Sequence, residues 1–559
     1  MLKIKPMNLW VNRILIWAVL LCNASLISAQ DCETELDPKA QKLIEKSENK
    51  KKYKSAQRKQ FLADALEIDE NCLECMHQLG KKAYRRAKNS DLDFTAANTY
   101  LKPLVAACPT YHAEPFYLLG AMAYADQEYS QALEYFDSYL HFSADDESKL
   151  GRDYDENYEI VKGALPSIKF YKKYAENPVD YNPVKVMEIS SNDGDEYLPM
   201  LSPDNETIYF TKKYLKKTKF DLVGKYVEEY TKCSRANITS KFDTPEALKP
   251  PFNVGSKYGG STLSVNNKEM YISVSNPNGT NPDNIDIFRT TYSKVFDKSL
   301  GEEVYKWSEL VSIGDHINTK GGWEAQPSLS GDGQMLFFAS ARPESISGPD
   351  GNPSVDIYYC IRKEDGSWGT PINLEAINTN GSDKTPFMHT DSRTLYFASN
   401  AHRGFGGFDL FYTRQNDDGT WGEPENLGAP INTIDNEEGL IVATDGKLAY
   451  FSSRLEGEAS KDIYAFNLPE RAKPQKVMMV KGVVKDENDK VVEDLEIEIH
   501  SESREQPQKI KVDSEDGSYA AIVNVEKKED VVVLMKMEGY AFSAQNLVAK
   551  NEAAKPASI

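Results

Sequence analysis

The sequence predicts three folded parts in one chain of 559 residues: an α-helical repeat array, an all-β propeller and a small β-sandwich. The propeller counts five blades, or six if its two ends pair into another. Three observations predict this. A string of residues recurs with a period of roughly fifty between Trp368 and Asp462, the mark of a propeller or an array. Upstream, residues 36–177 are rich in Ala, Leu, Lys, Glu and Tyr, with apolar positions at helical spacing. After Leu468-Pro469, short alternating runs replace both patterns.

The recurring string is explicit. Trp368-Gly369-Thr370-Pro371-Ile372-Asn373-Leu374 returns as Trp421-Gly422-Glu423-Pro424-Glu425-Asn426-Leu427, and Ile377-Asn378-Thr379 as Ile431-Asn432-Thr433. Leu395-Tyr396-Phe397-Ala398-Ser399 returns near Tyr450-Phe451-Ser452-Ser453, with an earlier copy at Leu336-Phe337-Phe338-Ala339-Ser340. Asp followed by apolar residues marks each unit, at Asp221, Asp286, Asp356, Asp409 and Asp462. Such units are short strands separated by Gly, Asn and Asp turns. A unit with two apolar faces must stack on copies of itself, and radial stacking leaves only short edges. Repeated aspartates suit turns that accept backbone N–H groups better than a ligand set. The element Ser-Pro-Asp, then aromatic-Phe-small-Ser, then Asp-apolar-aromatic resembles the TolB-like, WD-type propeller repeat, over residues 184–469.

Length exceeds what one core supports. Acidic residues outnumber basic ones 86 to 66, a net charge of −20, so nucleic-acid binding is not expected. Residues 1–29 read as a signal peptide: Lys3, Lys5 and Arg13 precede a short apolar run, and Ser28-Ala29 offers a small-residue cleavage site. Leu21 is too large for a typical lipobox before Cys22. Six cysteines remain after export: Cys32, Cys72, Cys75, Cys108, Cys233 and Cys360. Cys72-x-x-Cys75 suggests a disulfide, buried thiols, a redox pair or half of a zinc site, with Cys32, Cys108, His77 and His112 the nearby candidates.

In the helical stretch, Gly120, Ala132 and Phe136 have the small-small-aromatic spacing of a tetratricopeptide repeat, and Gly80, Ala96 and Tyr100 resemble a second copy. The resemblance implies a three-repeat array that binds proteins, with a last helix near 154–174 and a Pro-containing linker near 178–183. In residues 475–550, the order Gly482-Val483-Val484, Leu495 to Ile499, Asp516-Gly517-Ser518-Tyr519 and Gly539-Tyr540 resembles the carboxypeptidase-regulatory-like β-sandwich. That implies an accessory module.

No catalytic, cofactor-binding or metal-binding residue set emerges. There is no Gly-x-Ser-x-Gly elbow, no His-Glu-x-x-His and no phosphate-binding loop. Gly404-Phe405-Gly406-Gly407 lies between two strands of a repeat and reads as a blade turn. The domain order resembles that of PorE-like envelope proteins of the type IX secretion and gliding machinery. The resemblance implies a non-catalytic periplasmic scaffold, peripheral to the outer membrane, with outer-membrane and periplasmic protein partners and no cofactor. An OmpA-like domain often follows in that family; none is seen before Ile559, which makes peptidoglycan contact doubtful. The alternatives are a propeller-based hydrolase or lyase with acids in the central channel, or a glycan-binding envelope protein with clustered exposed Trp and Tyr.

Overall fold

Helix pairing and sheet stacking divide the chain into two units, residues up to Glu176 and residues from Asn177. The computed structural model describes residues 32, 35–144, 146–217, 223–254, 257–275, 284–320, 322–455, 460–486, 488, 490–492, 495–500, 507–525, 530–536 and 543–548. The expected signal peptide with Cys22, the Asp221-Leu222 mark, Glu487, Asp489, Glu538-Gly539-Tyr540 and the tail to Ile559 lie outside them.

The first unit holds α1 (Pro38–Glu48), α2 (Ser55–Ile68), α3 (Leu73–Ser90), α4 (Thr95–Ala107), α5 (Glu114–Ala125), α6 (Tyr129–Leu140) and α7 (Tyr154–Glu176). Pro38 opens α1, where a missing N–H costs nothing, and the Asp37 carboxylate accepts from Lys39 N. Successive helices pair as α1–α2, α3–α4 and α5–α6. Two glycines allow the close approaches: a Cβ on Gly80 would sit 2.5 Å from Leu101, and one on Gly120 would sit 2.6 Å from the Phe136 ring. Disulfides join Cys32 to Cys108 and Cys72 to Cys75.

The expected tetratricopeptide array is corrected here. Among the described residues, seven α-helices stand against 27 strands, so the chain is mainly sheet with a short helical unit. The Gly120–Phe136 spacing reports what any tight antiparallel helix pair requires, a gap filled by an aromatic ring. It does not by itself encode an extended superhelix.

The second unit begins with five antiparallel sheets. Their inner strands are Gly194–Leu201, Tyr258–Leu263, Glu324–Leu329, Asp383–Met388 and Glu438–Val442. Each inner strand touches the next and the fifth touches the first, which closes a propeller ring. The ends of the ring do pair, but within the fifth blade: Val184–Lys185 supplies its outer strand, with Val184 opposite Ala465 and Lys185 opposite Tyr464. Each inner strand carries a bulge. At every bulge one residue is left-handed: Leu198, Gly260, Gln326, Thr385 and Gly439. A bulge sharpens the bend and re-aims side chains, so the five strands turn together around the channel.

The Ile-Asn-Thr string makes the joints. Ile317, Ile377 and Ile431 are at most 1% exposed in the blade cores. The side chains of Asn318, Asn378 and Asn432 each accept the N–H and donate to the C=O of one third-strand residue: Ile287, Ile357 and Leu410 respectively. A side-chain amide offers one donor and one acceptor group, which is what a free strand residue needs.

A terminal β domain follows. Val477–Val483 pairs with Ser518–Asn524, and Gln508–Lys511, Glu496–His500, Asp530–Lys536 and Ser543–Val548 form a four-stranded sheet. Val480, Ile497, Ile499, Tyr519, Val523 and Val533 fill the core between them. The connection is pinned to the propeller: Tyr396 Oη donates to Ala472 O at 2.5 Å, and Arg414 donates to the carbonyls of Arg471 and Lys473 at 2.8 Å. No helix among the described residues is long and apolar enough to cross a membrane.

Candidate functional site

Four buried carboxylates stand where inner strands begin: Glu196, Glu324, Asp383 and Glu437, each at most 1% exposed. Burial pushes Glu196 and Glu437 up to about 7 and also raises Glu324 and Asp383. A single raised acid would suggest catalysis. These recur in four blades with the same partners. Each accepts from the backbone N–H and hydroxyl of Ser191, Thr319, Thr379 or Thr433. They are therefore joints between blades; the Thr of Ile-Asn-Thr is the donor to Glu324, Asp383 and Glu437, and Ser191 takes its place at Glu196.

The Asp-apolar marks are also turn anchors. Asp356 accepts from Ile346 N, Ser354 Oγ and Asn373 Nδ2. Asp409 accepts from Phe405 N and Gly406 N, so the Gly404-Phe405-Gly406-Gly407 loop wraps a carboxylate of its own blade. Asp462 holds Lys185 Nζ at 2.8 Å. Asp286, Asp356, Asp409 and Asp462 belong to four different blades and do not converge.

In the helical unit, the four cysteines weighed for zinc are spent in two disulfides. His77, His112 and Glu114 bring ligand-type atoms within 4.8 Å of one another. Lys81 Nζ already lies 2.5 Å from Glu114, and His77 Nε2 lies 3.0 Å from it. His112 Nδ1 accepts from Glu114 N at 3.0 Å, which places the neutral ring's proton on Nε2. Burial and then the neighbouring His77 pull His112 down to about 4, so that ring stays neutral. The arrangement clamps α3 to α5, with Lys81 as its cation.

Two cavities belong to the propeller proper. The channel itself is narrow, about 70 Å³, and is walled by the inner strands. One cavity of about 330 Å³ is lined by Asp195, Tyr197, Lys213, Gln326, Glu438 and Lys461, among others. Glu438 meets Lys384 at 2.7 Å and Lys461 at 2.9 Å. Burial alone would raise the Glu438 carboxyl, but the two lysines hold it below the usual carboxylate range. Lys461 N also donates to Asp195 Oδ1 at 2.8 Å. One lysine thus ties together two carboxylates that face the same space.

The larger cavity, about 690 Å³, lies among blades 1 and 2 and the terminal β domain. Its aromatic wall comes from an extra strand. Glu302–Trp307 pairs with the far half of Ile285–Asp297, setting Trp307 opposite Tyr292. Alternation along the strand puts Tyr305 and Trp307 on one face. Tyr292 stacks on Tyr305 at 5.4 Å and meets Trp307 at 5.1 Å, and Phe252 meets Trp307 edge-on at 6.0 Å. All three of Tyr292, Tyr305 and Trp307 are half-buried, with part of each ring reachable. Polar groups surround them. Asp516 of the terminal domain accepts from Lys268 Nζ at 2.8 Å and from Tyr305 Oη at 2.9 Å. Burial would raise Asp516, but Lys268, Ser518 and Tyr305 hold it well below the usual range. Asn267 donates to Asp204, while its buried Oδ1 has no hydrogen-bond partner among the described residues.

Sequence reasoning missed this basin. Its signal was Tyr305-x-Trp307, two aromatics at strand spacing outside the repeat. The repeating tryptophans belong to the blades: Trp368 is 4% exposed and donates Nε1–H to Tyr271 Oη, and the half-buried Trp421 packs on Phe337.

No family model matches the chain, and no curated protein matches it. Solved structures that resemble it include an α-L-arabinofuranosidase from Lactobacillus brevis, 13% identical, covering 52% of this chain and 97% of that one at a TM-score of 0.34. An α-L-arabinanase from Penicillium chrysogenum is 14% identical, covering 50% and 78% at 0.31. A sialidase from Trypanosoma rangeli is 10% identical, covering 61% and 59% at 0.29. Against the expectations of a PorE-like secretion scaffold, of a protein-interaction repeat and of a chain without catalysis, the structures found to resemble the chain are glycosidases, and none of these three structures is an envelope scaffold. Identity and TM-score are too low for any of them to assign this chain a substrate or a reaction.

Proposed function

We propose that this protein binds carbohydrate in the basin walled by Tyr292, Tyr305 and Trp307. The observation that carries the reading is that aromatic set facing a cavity of about 690 Å³ rimmed by Asn267, Lys268 and Asp516. A sugar ring presents a face of C–H bonds and a rim of hydroxyls. Aromatic faces take the first, and amide, ammonium and carboxylate groups take the second. The cavity volume falls in the range of small-ligand sites. The unpartnered Asn267 Oδ1 would gain from a hydroxyl donor, because a buried acceptor without a partner is costly.

The test is a glycan array with the full chain, followed by calorimetric titration of the best binder. Trp307→Ala should weaken binding at least tenfold in a chain that still unfolds in one cooperative transition. Retention of affinity in that variant, or no binder on the array, refutes the reading.

A second reading, glycoside hydrolysis at the channel mouth, is favoured by Asp195 and Glu438 sharing one cavity. Glycoside hydrolysis uses paired carboxylates, one ionised and one acting as acid. Glu438, held ionised by Lys384 and Lys461, would be the base or nucleophile, with Asp195 as the second carboxylate of the pair. Release of reducing ends from an oligosaccharide panel, abolished in Glu438→Gln, would support it; unchanged release in that variant would eliminate it. Export through residues 1–29 is part of either reading, and the two disulfides support it.

A further inference from the structure

We infer that the glycan taken by the basin is anionic, a carboxylate-bearing uronate chain. The inference rests on the carbohydrate reading above and deepens it. The whole chain is acidic, 86 acids to 66 bases. The basin inverts that balance: Lys232, Lys249, Lys268 and Lys306 line it, against Glu246 and Asp516.

The pairings decide which charges are available. Lys268 is committed to Asp513 at 2.9 Å and Asp516 at 2.8 Å, and Lys306 to Asp297. Asp516 is committed in turn to Lys268 and Tyr305. Lys232 and Lys249 have no ion-pair partner among the described residues, and Glu246, the strand neighbour of Lys232, is the remaining acid. The uncommitted charge around the aromatic floor is therefore positive, on a molecule whose overall field repels anions. A local positive rim in such a field concentrates an anionic ligand at one place. A uronate fits both halves of the site. Its ring face stacks on Trp307 and Tyr292, and its carboxylate reaches the exposed Lys249 ammonium or the half-buried Lys232. A neutral sugar would use the floor and leave the lysines idle.

The experiment compares one sugar in two charge states. An oligogalacturonide and its methyl-esterified form are titrated into the full chain by calorimetry at low and high salt. The acid form should bind about fivefold more tightly at low ionic strength, as expected for partly exposed ion pairs. The gap should close as salt shortens the screening length. Lys232→Gln with Lys249→Gln should remove the gap between the two forms; a gap that persists in that variant overturns the charge inference. Equal or tighter binding of the ester by the unaltered chain overturns the charge inference alone. Failure of both forms to bind while a neutral glycan from the array binds in a Trp307-dependent way also overturns it. No glycan binding at all overturns the carbohydrate reading beneath it.

Discussion

Removing the Asn432 side chain tests whether the Ile-Asn-Thr string is a joint. Asn432 is 1% exposed. Its Oδ1 accepts from Leu410 N at 2.8 Å, and its Nδ2 donates to Leu410 O and Asn426 Oδ1, each at 2.9 Å. In Asn432→Ala the acceptors keep other donors: Leu427 N still reaches Leu410 O, and Gly428 N still reaches Asn426 Oδ1. The loss concentrates on the Leu410 N–H, buried with nothing to accept it. An orphaned buried donor costs about 1–3 kcal/mol, and the small void adds to it, so about 2–3 kcal/mol is expected. Asn432→Asp sharpens the test. Its carboxylate can still accept from Leu410 N but now faces two acceptors. Its pKa should rise in the fold, so the variant should approach wild-type stability near pH 4 and lose it as pH climbs through that raised value. All four tryptophans after residue 29, Trp307, Trp323, Trp368 and Trp421, belong to the propeller. Their fluorescence in urea therefore follows this unit. A shift below about 0.5 kcal/mol for the Ala variant, or no pH dependence in the Asp variant, refutes the joint.

Three further outcomes follow from the same geometry. Glu437 is raised to about 7, so its favourable share of stability is complete below the ordinary Glu value and lost as pH rises through 7; Glu437→Gln should be more stable than wild type at pH 8 and no more stable at pH 4.5, read by urea titration at each pH. Lys185→Met leaves the fully buried Asp462 without its cation and should destabilise the propeller by roughly 2–4 kcal/mol, seen in the same fluorescence transition. Gly120→Ala gains helix propensity of about 1 kcal/mol but drives a methyl into the Phe136 ring, so the helical signal at 222 nm should melt earlier, not later.

The parts of the fold that repeat were legible in the sequence, and the parts that do not were hidden. Ile377-Asn378-Thr379 and its copies mark real joints, because one hydrogen-bonding task recurs with one solution. The acids that answer the Thr, or Ser191 in the first blade, were overlooked, since Glu196, Glu324, Asp383 and Glu437 vary in type and offset. Blade closure by Val184–Lys185 left no signal, two residues being too few to show an alternation. The helical unit misled for the opposite reason: Gly120 and Phe136 look like a repeat because every tight helix pair meets the same steric need. The basin draws on residues from 202 to 518, and no local pattern joins Tyr292, Trp307 and Asp516.

The two-residue hook Val184–Lys185 has a consequence for how the molecule is born. It leaves the ribosome ahead of every blade, yet its partner Ala465 is translated about 280 residues later. Until then the nascent circle is a crescent with two unsatisfied rims. Each rim offers backbone N–H and C=O groups to any neighbouring polypeptide. Completion therefore waits for the last blade, and a chain halted before residue 462 should accumulate as insoluble material while the helical unit ahead of it still folds.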